Sequence, residues 1–99
     1  MKSVTVMAAL LMAAATAGRA GPIDQACVRS DRAADPQLCA CIQQVADMTL
    51  TGPDQKMAAR FFSDPAKAQE VRQSSRSTYR AFWQRYVAFG STAESVCAK

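Results

Sequence analysis

Four cysteines and no histidine in a chain of 99 residues restrict this sequence more than any other feature. Cys27, Cys39, Cys41 and Cys97 span nearly everything after the N-terminal segment. An even number of cysteines in a short exported chain is ordinarily a disulfide framework. Such a frame matters at this size, where a hydrophobic core alone is marginal and each bridge contributes about 2–4 kcal/mol. Residues two apart on a helix point about 200° apart, so helical Cys39 and Cys41 cannot bond to each other. Cys27 and Cys97 must then divide them, and either division fits the spacing.

Export is read from the N-terminus. Lys2 supplies a positive start, Val4 to Ala15 is an uncharged apolar run containing Leu10 and Leu11, and small residues follow. This is the pattern of a secretory signal peptide, with cleavage expected after Ala20 and a second small-x-small site after Ala17. The uncharged stretch from Ser3 to Gly18 is 16 residues, short of the roughly 20 needed to span a bilayer. The expected organisation is a signal peptide over 1–20 and one helical domain over 21–99, in the periplasm or secreted, with no transmembrane segment after cleavage.

That domain reads as all-α. Stop and start signals recur along it, and no run alternates with period two. Asp35-Pro36 has the form of an N-cap followed by a first-turn proline and predicts a helix from Pro36 to Leu50. Leu38, Ile42, Val45 and Thr49 form its inward stripe, Cys41 and Met48 one margin, Cys39 and Leu50 the other, while Gln43, Gln44 and Asp47 face outward. Thr51-Gly52-Pro53 and Ser63-Asp64-Pro65 repeat the punctuation and predict helices from Pro53 to Phe62, with Met57, Phe61 and Phe62 inward, and from Pro65 to Gln73. Tyr79, Phe82, Trp83, Tyr86 and Val87 recur at helical spacing and predict a helix from Ser75 to Ala88. Gly90 is expected to stop it, and Ser91 with Glu94 forms a capping-box pattern opening a last short helix with Cys97. A short helix over Ile23 to Arg29 carries Cys27. The expected architecture is a compact bundle of four to six short helices stapled by two disulfides.

Charge is divided along the chain. After cleavage 10 basic residues face 8 acidic ones, a net +2 that offers no support for a nucleic-acid partner. From Gly21 to Asp54, Arg29 and Arg32 stand against five aspartates, net −3. From Gln55 to Arg85 the basic Lys56, Arg60, Lys67, Arg72, Arg76, Arg80 and Arg85 stand against Asp64 and Glu70, net +5.

Chemistry is sparse. Without histidine no His-based triad, acid–base pair or His-containing zinc site can be built, and two thiolates on opposite faces of one helix cannot share a zinc tetrahedron. No nucleophile–base pair emerges from spacing, so no enzyme, metal or cofactor is expected. Cys39-Ala40-Cys41 resembles a redox dithiol, and a cysteine near a helix start can have its thiolate stabilised, but no cis-proline or βαβ pattern surrounds it and two more cysteines stand ready as structural partners. Tyr79, Phe82, Trp83 and Tyr86, bordered by Arg76 and Arg80, would suit a planar or anionic ligand. The same pattern describes a core-facing stripe with arginines lying over it. Arg72, Arg76 and Arg80 at i, i+4 and i+8 could make a basic ridge toward an acidic protein or envelope component.

The string Ser30-Asp31-Arg32-Ala33-Ala34-Asp35-Pro36-Gln37-Leu38-Cys39-Ala40-Cys41-Ile42-Gln43, with Phe82-Trp83-Gln84-Arg85-Tyr86 and Phe89-Gly90, resembles a set of small exported helical proteins of alphaproteobacteria whose function is uncharacterised. The resemblance covers most of the domain and implies a periplasmic location; it carries no functional residues with it. The leading expectation is a non-catalytic periplasmic protein that binds a partner protein or an envelope component through its basic C-terminal half. The alternatives are a small-ligand carrier using Tyr79, Trp83 and Arg80, and a thiol-disulfide oxidoreductase at Cys39 and Cys41.

Overall fold

The computed structural model describes residues 21–30 and 35–98, so the leader expected over 1–20 lies outside the described residues. Five helices follow one another among these residues: α1 Pro22–Arg29, α2 Pro36–Thr49, α3 Gly52–Ser63, α4 Pro65–Gln73 and α5 Ser77–Cys97. No strand occurs among the described residues. The chain's four prolines all sit in the first turn of a helix, α1 to α4 in order. There the missing N–H has no helical partner to lose and the fixed φ suits the helix. Three of these starts are capped by side chains. Asp35 accepts from the Gln37 N–H at 3.0 Å, Thr51 from the Asp54 N–H at 3.2 Å, and Asp64 from the Lys67 N–H at 3.2 Å.

The disulfides join Cys27 to Cys39 and Cys41 to Cys97, with Cα atoms 5.6 and 5.9 Å apart. Cys39 and Cys41 are thus each bonded elsewhere, as opposite borders of one helix require. The first bridge ties α1 to α2 and the second ties the end of α5 to α2. α2 packs against α1 and α5, α3 against α1 and α4, and α4 against α5. Ile23, Val45, Ala46, Leu50, Ala58, Phe61, Val71, Phe82 and Phe89 form the buried core. Phe61 sits edge-on to Phe82 and Tyr86, with ring centroids 6.0 and 5.2 Å away.

Four expectations are corrected. Gly90 does not stop a helix, and Ser91 and Glu94 do not open one, since α5 runs unbroken for 21 residues. Phe82, Tyr86, Phe89, Ala93 and Cys97 continue a single apolar stripe through the glycine, and their burial outweighs the roughly 1 kcal/mol that an interior glycine costs a helix. Gln43 does not face outward but is buried, because α1 packs on α2 and Gln55 of α3 reaches its amide. Met48, expected at the margin of the buried face, is 71% exposed. Val87 is exposed as well; the stripe passes through Phe89 instead.

Buried Gln43 is fully used. Its Oε1 accepts from the Asp24 N–H at 2.9 Å, and its Nε2 donates to Gln55 Oε1 at 2.8 Å and Asp47 Oδ1 at 2.9 Å. Gly21 at the start of α1 supplies no side-chain cap, so the amide of a neighbouring helix serves as one. The approach is close enough that a Cβ on Gly21 would lie 2.6 Å from that amide.

Candidate functional site

The basic ridge anticipated from Arg72, Arg76 and Arg80 does not lie on one helix. Residues 74–76 are non-helical, with the Arg76 N–H donating to Ser74 Oγ at 3.1 Å. Arg72 therefore closes α4, Arg76 occupies the N-cap position of α5, and Arg80 sits in its first turn. Arg76 lies over the Tyr79 ring at 4.6 Å from its centroid, and Lys67 Nζ approaches the same ring at 5.7 Å. Such contacts are electrostatically favourable and hold the ring against the turn. Trp83 packs on Tyr86 and Phe61, with centroids 5.0 and 6.3 Å away. Tyr79 and Trp83 are half-buried members of the core's margin. Burial pushes the Tyr86 phenol above its ordinary value, which keeps it neutral.

The acidic groups within residues 55–85 are already engaged. Asp64 caps α4, and Glu70 pairs with Lys67 at 3.6 Å. Arg85 reaches back to Asp54 through two hydrogen bonds, Nε to Oδ2 at 2.7 Å and Nη2 to Oδ1 at 3.0 Å. The guanidinium's hydrogen bonds hold the Asp54 carboxyl below its ordinary range, against the opposing effect of burial. Lys56, Arg60, Arg72 and Arg80 are exposed and make no ion pair among the described residues.

Among the described residues, two grooves bear on the site. One, of about 300 Å³, lies where Phe61, Phe62, Pro65, Ala68, Gln69 and Tyr86 meet. The other, of about 540 Å³, runs between α1 and α3 and is lined by Arg29, Arg60, Ala26, Ala59, Phe62 and neighbouring polar residues. Neither touches Tyr79, Trp83 or Arg80, so of the aromatic face singled out in the sequence only Tyr86 borders a cavity, the smaller one. Arg29 and Arg60 carried no signal as a pair, being 31 positions apart on separate helices; only the packing of α1 on α3 brings them to one groove.

Thiol chemistry at Cys39 and Cys41 would need the two to pair with each other. Each is bonded elsewhere, Cys39 is fully buried, and no cysteine is free among the described residues. No helix among the described residues is long and apolar enough to cross a membrane. No protein-family model, curated protein or solved structure matches the chain.

Proposed function

We propose that this is a non-catalytic, exported binding domain whose basic C-terminal half engages an acidic partner protein in the periplasm. The observation that carries the reading is the set of exposed cations on α3, α4 and α5, of which Lys56, Arg60, Arg72 and Arg80 lack a carboxylate partner among the described residues while the segment's own acids are occupied. An unneutralised basic surface steers acidic partners and is screened by salt. Two disulfides support an oxidising compartment. A protein partner is favoured over a lipid surface because Arg80 shares its outward face with Gln84 and a single large exposed apolar residue, Val87, leaving little for membrane insertion.

The test is affinity capture from periplasmic extract, with the disulfide-intact protein as bait at low and high salt, followed by titration of the captured protein in purified form. An acidic partner should bind at low salt and weaken as salt rises, and Arg72→Gln, Arg76→Gln and Arg80→Gln together should weaken it by roughly tenfold. Binding left unchanged by the triple replacement, or transferred to anionic vesicles, overturns the reading.

A further inference from the structure

The groove between α1 and α3 has no part in that basic surface beyond its single edge at Arg60. Its volume of about 540 Å³ falls in the range of small-molecule sites. Half-buried Ala26, Ala59 and Phe62 make its apolar depth, and exposed Arg29 and Arg60 stand at its border. Among the described residues no carboxylate lines it, and neither guanidinium is ion-paired. The lining therefore carries two positive charges, unpaired among the described residues, over a small apolar floor.

We propose that this groove binds a small free amphiphilic anion, an acyl chain or aromatic body bearing a carboxylate or phosphate. The apolar body lies along Ala26, Ala59 and the Phe62 ring, and the anionic head meets Arg29 and Arg60, whose planar forks match carboxylate and phosphate oxygens. The two lining hydroxyls do not recognise the head as donors. Ser30 Oγ already donates to the Cys27 carbonyl at 2.8 Å, and Ser63 Oγ to the Arg60 carbonyl at 3.4 Å. The two guanidinium charges thus carry most of the recognition, so the groove accepts either anion and discriminates against a neutral head of the same length.

Titration of the isotope-labelled, disulfide-intact protein with decanoate, decyl phosphate and decanol, followed by amide NMR, tests this. Both anions should shift the amides of Ala26, Ala59 and Ser63, and decanol should bind at least roughly tenfold more weakly. Arg29→Gln with Arg60→Gln should lower anion affinity by roughly tenfold or more while the thermal midpoint holds, because both side chains are exposed. Replacement of Arg72, Arg76 and Arg80 should leave anion binding unchanged, which separates this site from the partner surface. Equal binding of decanol, shifts confined to other helices, or undiminished binding by the Arg29/Arg60 variant would overturn the proposal. So would arginine-dependent sedimentation with phosphatidylglycerol vesicles without binding of the free anions, which would identify a lipid headgroup as the source.

Discussion

Gln43 illustrates why single residues resist reading from a helical plot. A glutamine is assigned outward by polarity, yet here its amide caps α1, meets Gln55 and reaches Asp47. Replacement by leucine keeps the bulk but leaves the Asp24 N–H and the Gln55 Oε1 without their partner. Groups stranded in this way cost about 1–3 kcal/mol, and Gln43→Leu should lose about 2 kcal/mol in urea unfolding. The inverse holds for Asp54, whose ion pair with Arg85 joins residues 31 apart and has no local signature. Its carboxyl is held below 3.8, chiefly by the Arg85 hydrogen bonds. In acid the unfolded chain takes up that proton first. The stabilisation is therefore complete above about pH 4 and is lost as the pH falls through the folded value. The thermal midpoint of the wild type should fall more steeply below about pH 4 than that of Asp54→Asn, and parallel curves would show that the pair contributes nothing.

At the scale of the element, punctuation was legible and continuity was not. Asp35-Pro36, Thr51-Gly52-Pro53 and Asp64-Pro65 mark helix starts because cap oxygens and first-turn prolines act locally, and α2, α3 and α4 begin where those residues say. Gly90 is the counterexample. Glycine permits a stop without enforcing one, and whether the helix continues depends on what Phe89, Ala93 and Cys97 bury against beyond it. In α5 the glycine has no positive φ, and a Cβ placed on it would meet nothing within 4 Å. Gly90→Ala should therefore stabilise the protein by about 0.5–1 kcal/mol, by removing backbone freedom from the unfolded chain. For a domain of this size that is a rise of roughly 4 °C in thermal midpoint. A loss of stability would instead identify a helix end at Gly90 and refute the continuous α5.

Across the whole molecule, the cysteines announced a two-bridge, all-helical frame, but not which sulfur joins which. Their pairing depends on where α1 and the end of α5 lie relative to α2, and that order is set by Ile23, Phe82 and Phe89 packing into the shared core rather than by any spacing near the cysteines. The same dependence hid the α1–α3 groove, whose two arginines are neighbours only through the tertiary fold. The connectivity has an energetic consequence. Cys27–Cys39 closes a span of 12 residues and Cys41–Cys97 one of 56. Restricting the longer loop removes more entropy from the unfolded chain, about 4 kcal/mol against about 3. Cys41→Ser with Cys97→Ser should accordingly destabilise the protein more than Cys27→Ser with Cys39→Ser when both are unfolded in urea. The local effects should differ too. Loss of the first bridge should raise amide exchange in α1 and its groove, whereas loss of the second should raise it in the last turns of α5. If the Cys27/Cys39 variant proves the weaker of the two, the attachment of α1 governs the fold, and closure of the longer loop is secondary to it.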